Sequence, residues 1–272
     1  MSFEYQGEGA LDYFPCHYGR SKLLFRGPKR SISGDYNVAI GGSETFGKFV
    51  EVPYPSILEI MTGKKIINLG CMYSGPNVFL NEPSVLEICQ NAKVTIIQLT
   101  GAQNMSNRFY TVHPRRNDRF LGPTHLMKSV FPDVDLTDVH FTGHLLRVLR
   151  EKSVRRFDLV RQELQLEWVR QMQVLLGKIG GQIVLLWLAG RGPNDLNNIF
   201  GSRADPLFLK REMIEELTER HVRLVEVIAS PEEVAAGHER MIYNQLQESA
   251  AQQMLGPIAH QEASRRLVAH FG

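Results

Sequence analysis

Apolar residues gather in short runs through the first half of the chain, each followed by a turn-rich segment and then by a stretch with helical spacing. Repeated βα units produce this alternation, because a strand buried on both faces reads as one apolar run and its crossover helix as a 3.6-residue pattern. Residues 36–40 predict the first strand, which ends in Gly41-Gly42-Ser43. A helix over 54–62 follows, opened by Pro53 and Pro55 and closed by Gly63. Residues 65–69 predict a second strand, 70–76 a loop, and 82–92 a helix with Pro83 near its start. Residues 93–99, rich in Val, Ile and Thr, predict a buried third strand that runs into Gly101-Ala102-Gln103-Asn104.

Between 105 and 153 the rhythm breaks: Pro114, Pro123 and Pro132 interrupt a mixture of aromatic and basic residues, and the segment reads as an insertion or lid. From 153 to 177 the apolar positions Phe157, Val160, Leu164, Trp168, Met172 and Leu175 recur at three- and four-residue steps, as the buried stripe of a long helix does. Gly180-Gly181 ends it. A fourth strand is predicted over 182–189, a loop over 190–206, a helix over 210–221, a fifth strand over 222–228, a largely helical stretch over 231–254, and a short amphipathic helix over 260–271. The architecture that follows is a single α/β domain spanning 1–272, a three-layer α/β/α sandwich around a five-stranded, mostly parallel sheet, with the 105–153 insertion inside it.

Composition narrows the function classes. Thirty-one basic against 29 acidic side chains give a formal charge of +2, so no whole-protein field argues for nucleic acid or an anionic membrane. Cys16, Cys71 and Cys89 are odd in number and lack any ligand spacing, which fits a reducing compartment. The early acids of the N-terminal stretch do not read as a secretory signal, and the longest apolar run, 183–189, is too short to span a bilayer, so a cytoplasmic protein is expected.

In an open parallel sheet, ligands sit outside the carboxyl ends of the strands. Three predicted strand ends are polar: Gly41-Gly42-Ser43, 68–75 and 101–107. A serine straight after two glycines can be a helix N-cap, or it can expose its hydroxyl on a tight turn. The segment Val38-Ala-Ile-Gly-Gly-Ser-Glu-Thr-Phe-Gly47, followed by Tyr54-Pro-Ser-Ile-Leu-Glu, resembles the first block of the SGNH (GDSL-like) hydrolases. Asn68-Leu69-Gly70 with Ser74-Gly75-Pro76 looks like their second block, Gly101-Ala-Gln-Asn104 like a variant of the third, and Pro257-Ile-Ala-His260 is similar to the D-x-x-H block. The resemblance reaches a group of proteins from marine alphaproteobacteria.

That resemblance implies the flavodoxin-like SGNH fold and a serine esterase or O-acyltransferase without a cofactor. Ser43 would attack an acyl carbonyl and His260 would take its proton. The oxyanion would meet the Ser43 backbone N–H, a backbone N–H from Tyr73 or Gly75, and the side-chain amide of Gln103 or Asn104. Pro257 stands where the family has the aspartate that orients the histidine, and Tyr73 where it has the oxyanion glycine.

In the insertion, residues 108–119 concentrate four arginines. Arg108, Arg115, Arg116 and Arg119 are either a solvated surface set or an anion clamp beside Ser43 that selects a phosphorylated, sulfated or carboxylated substrate, and the substrate expected is an ester of a small polar or anionic molecule, a carbohydrate ester included. Nucleic acid is not expected, because so few charges release few counterions. His140 and His144 share helical spacing, but no glutamate of the H-E-x-x-H kind and no carboxylate or cysteine cluster completes a metal site, and none is expected. Self-association into a homo-oligomer is compatible with the sequence. The alternative to catalysis is a non-catalytic protein of the same fold that binds an anionic ligand or a protein partner through the arginine-rich insertion.

Overall fold

The computed structural model describes residues 10–195, 205–218 and 221–271. Parts of the expected loop over 190–206 and of the expected helix over 210–221 lie outside those residues. Five strands, β1 (Asn37–Gly41), β2 (Ile66–Gly70), β3 (Val94–Gln98), β6 (Gln182–Ala189) and β7 (Val222–Ile228), form one sheet in the order β2-β1-β3-β6-β7. Every pairing in it is parallel, where the sequence suggested a mostly parallel sheet. β1 and β3 are buried at every position and β6 at every position but its first, as strands covered on both faces must be.

The two cores lie on opposite faces of the sheet. One is built on the long helix α7 (Val154–Ile179), whose Phe157, Val160, Leu164, Trp168, Met172 and Leu175 are all buried, together with α3 (Pro76–Leu80) and α4 (Pro83–Gln90). The other is built on α2 (Tyr54–Thr62) and α11 (Pro257–Leu267), which bring Tyr54, Leu58, Ala259, Ala263 and Leu267 against Ala39, Ile96 and Val184. Burying each of the larger of these side chains is worth roughly 1.5–3 kcal/mol, so these faces hold the sandwich together.

The 105–153 segment is not irregular. It folds as an antiparallel hairpin, β4 (Tyr110–His113) with β5 (Arg116–Pro123), followed by α5 (His125–Val130) and α6 (Thr142–Lys152). Its Phe109, Tyr110, Phe120, Leu145 and Leu149 are buried in the same core as α7. The prolines that broke the pattern lie at the hairpin turn (Pro114), the end of β5 (Pro123) and the turn after α5 (Pro132).

Two expectations need correction. The stretch over 231–254 is a chain of short pieces: α9 (Pro231–Ala236), 3₁₀ turns at Gly237–Arg240 and Gln245–Gln247, and α10 (Glu248–Ala251). Gly237 and Gly256 explain the break, because their backbones approach so closely that a Cβ on Gly256 would lie 2.6 Å from the Gly237 carbonyl oxygen. The last helix begins at Pro257, which leaves its first turn without the lost N–H that proline would cost further in.

All three cysteines are free thiols, and burial pushes Cys71 and Cys89 up to about 12. Alkylation at pH 8 is therefore expected to reach half-buried Cys16 first and the other two only after unfolding. Mass mapping of the adducts checks this; fast native-state modification of Cys89 contradicts it. Among the described residues no helix is long and apolar enough to cross a membrane.

Candidate functional site

The strand order changes direction between β1 and β3, which lie side by side with Ile40 opposite Ile97. Their carboxyl ends open into a cleft of about 640 Å³. Ser43 lines it from the first position of a short helix, α1 (Ser43–Phe46). The turn from β1 into α1 is held by Gln98 at the end of β3. The Gln98 Oε1 accepts from Gly42 N at 3.0 Å, Thr45 N at 3.1 Å and Thr45 Oγ1 at 2.7 Å. Gly41 is required there, since a Cβ on it would lie 2.3 Å from Thr45 Oγ1 and 2.6 Å from Gln98 Cβ.

The loop after β2 meets the same serine. Tyr73 adopts a left-handed backbone with φ of 57°, the conformation that favours glycine. Its N–H donates to Ser43 Oγ at 3.2 Å, and its carbonyl accepts from Asn104 Nδ2 at 3.0 Å. Of the two oxyanion alternatives, then, it is Tyr73 that reaches the serine, while the Gly75 N–H donates to Asn117 Oδ1 at 3.1 Å. Asn104 is clamped on its other side by Thr142, whose hydroxyl donates to Asn104 Oδ1 at 2.7 Å. Gln103 also lines the cleft, but its Nε2 donates to Asp205 Oδ1 at 3.1 Å and its Oε1 is buried without a partner among the described residues. α7 fixes the adjoining loop, because Trp168 Nε1 donates to the Thr100 carbonyl at 2.9 Å.

The arginines divide. Arg116 and Arg119 on β5 line the cleft with Asp118 between them, and the Arg119 guanidinium lies 4.5 Å from the Phe141 ring centroid. Arg108 and Arg115 do not line it. The Arg108 backbone N–H and guanidinium face Glu163 on α7, at 3.1 Å and 3.7 Å, and Arg115 is exposed at the tip of the hairpin.

Among the described residues no hydrogen bond joins Ser43 to His260. His260 is fully buried in α11, and its Nδ1 accepts from Tyr54 N at 3.1 Å. That bond places the ring proton on Nε2, which faces Glu44 Oε2 at 3.4 Å. Neither imidazole nitrogen is hydrogen-bonded to Ser43, and the residue braces Tyr54 on the α2 side of the site instead. Tyr54 continues the brace: its hydroxyl lies 3.0 Å from Thr45 Oγ1, and Thr45 in turn donates to Gln98. Glu44 lines the cleft next to Ser43, with its Oε1 accepting from Leu255 N at 3.1 Å. Just before α11 the chain lines the cleft with Gln253, Met254 and Leu255.

Sequence reasoning missed Gln98, Glu44 and Asp118. Gln98 was legible only as the polar end of a strand otherwise made of Val, Thr and Ile, and Asp118 was hidden among the arginines. Among the described residues, no group of three or more His, Cys, Asp or Glu side chains is placed to hold a metal ion.

With this geometry in view, comparison with known proteins decides the family. The sequence signature of DUF6473, a domain of unknown function, matches residues 1–271. The chain belongs to the DUF6473 family. No functionally curated protein matches it. Among solved structures, this DUF6473 protein is similar to a lipase from a goat rumen metagenome, at 14% identity and a TM-score of 0.46 over 87% of this chain and 97% of that one. It is also similar to a Bacillus subtilis protein, at 11% identity and a TM-score of 0.41 over 87% of this chain and 57% of that one. A gut microbial diltiazem-metabolizing enzyme is a third, at 15% identity and a TM-score of 0.37 over 88% and 47% of the two chains.

Proposed function

We propose that this DUF6473 protein is an esterase-type hydrolase or O-acyltransferase of the SGNH kind, with Ser43 as nucleophile and a small anionic ester as substrate. The observation that carries this reading is the position of Ser43 at the sheet's switch point, its hydroxyl held by the Tyr73 N–H in a cleft lined by Arg116 and Arg119. In the reaction, Ser43 Oγ bonds to the acyl carbon as its proton leaves, the alcohol departs with a proton, and water or a second alcohol then takes the acyl group. His260 is assigned the role of positioning Glu44 and Tyr54. The proton goes to Asp118, directly or through a water, because this cleft carboxylate has no hydrogen bond or ion pair among the described residues.

The two cleft arginines make a specific prediction. Arg116→Ala and Arg119→Ala are each expected to raise KM for a carboxylated aryl ester by roughly tenfold or more, since a hydrogen bond to a charged group is worth roughly 1.5–3 kcal/mol. KM for the neutral aryl ester should not change. Equal effects on both esters would remove the arginines from substrate binding.

A second reading is favoured by the residues that reach the cleft ahead of α11. With Gln253, Met254 and Leu255 there in place of an imidazole, the cleft can bind an anionic ligand without turning it over. That reading expects no ester hydrolysis above Ser43→Ala, with anion binding retained.

A further inference from the structure

Gln98 has a role that its position under the turn does not exhaust. Three donors converge on one atom of its amide, from Gly42 N, Thr45 N and Thr45 Oγ1. Only an oxygen can accept from all three, so the orientation of the amide is fixed by its neighbours. The other end of the amide, Nε2, has no acceptor among the described residues, and it is not among their buried polar atoms that lack a partner. Gln98 itself lines the cleft that contains Ser43. A buried side chain, only 7% exposed, thus presents an uncommitted N–H pair to the cleft from within the turn that carries the serine.

We propose that Gln98 is a ligand-binding residue whose Nε2 donates to an oxygen of the bound molecule beside Ser43, the oxygen of an acyl or oxyanion group. This rests on the Ser43 cleft being the ligand site. It also supplies a donor where three that the family resemblance implied are engaged elsewhere: Asn104 Nδ2 by the Tyr73 carbonyl, Gln103 Nε2 by Asp205, and the Gly75 N–H by Asn117. Gln98 is held more tightly than any of these, since losing its orientation means losing three hydrogen bonds.

The test is titration of inorganic phosphate into the full-length protein at constant ionic strength, read by thermal shift. Gln98→Glu keeps an acceptor for the three donors and removes the N–H pair. Gln253→Glu adds a carboxylate to the same cleft without removing that donor, and so measures charge repulsion alone. Gln98→Glu is expected to weaken phosphate binding by roughly tenfold or more beyond Gln253→Glu. Equal weakening, or no phosphate binding by the unmodified protein, overturns the proposal. If Gln98→Glu does not fold, the Gln98 side-chain amide resonances of the unmodified protein must shift on adding phosphate, and unmoved resonances overturn it. Covalent labelling of Ser43 is scored separately. Labelling with Gln98→Glu equal to Gln253→Glu retires Gln98 alone, whereas phosphate binding that depends on Gln98 without labelling retires the nucleophile.

Discussion

His260→Ala is expected to lower the folding stability by about 3–5 kcal/mol, the range for deleting a large, fully buried ring. The change removes the acceptor of the Tyr54 N–H and leaves Glu44 Oε2 without the imidazole it faces, in a core where the ring is fully buried. It also opens a void against Tyr54, whose ring stacks on the imidazole at 6.1 Å between centroids. Chemical denaturation of the full chain measures the loss. A cost below about 1 kcal/mol, the level of an exposed ion pair, would show that the brace is not a buried network. Because His260 acts through Glu44 and Tyr54, His260→Gln is expected to recover part of the stability and to leave the pH profile of ester hydrolysis unchanged.

Asp118→Asn is expected to slow acylation of Ser43 by roughly 10²–10⁴-fold, the usual contribution of a positioned general base. Stability should barely respond, since Asp118 makes no hydrogen bond or ion pair among the described residues. Single-turnover kinetics with a chromogenic ester separates acylation from binding, and the loss should fall on the rate constant rather than on KM. A decrease below tenfold assigns the proton to another group.

The sheet was legible because its strands are buried on both faces and leave uninterrupted apolar runs: the predicted bounds of β6 and β7 coincide with the observed ones. α2 was equally clear, since Pro55 near its start and Gly63 in a left-handed conformation at its end are local signals that need no tertiary context. α1 and α3 were missed because four and five residues are too few to show a period. The hairpin at β4 and β5 was hidden by its register shifts, which break the two-residue alternation a strand needs in order to be seen.

At the site, the place of Ser43 could be read from Gly41 and Gly42, because a close approach of backbone leaves a local mark in the sequence. The partners of that serine could not. Whether His260 faces the cleft or the core depends on where the first turn of α11 begins relative to Glu44, and the sequence motif around 257–260 is the same in either case. Arg116 and Arg119 were likewise indistinguishable from Arg108 and Arg115 until the hairpin set two of them in the wall of the cleft and Glu163 drew a third away.

Intact-mass analysis after exposure to a fluorophosphonate probe asks most directly whether the β1 serine is a working nucleophile that does not depend on the helix-borne imidazole. One adduct is expected on the unmodified protein and on His260→Gln, and none on Ser43→Ala. An unmodified protein that stays unlabelled, or an adduct that survives Ser43→Ala, contradicts the account.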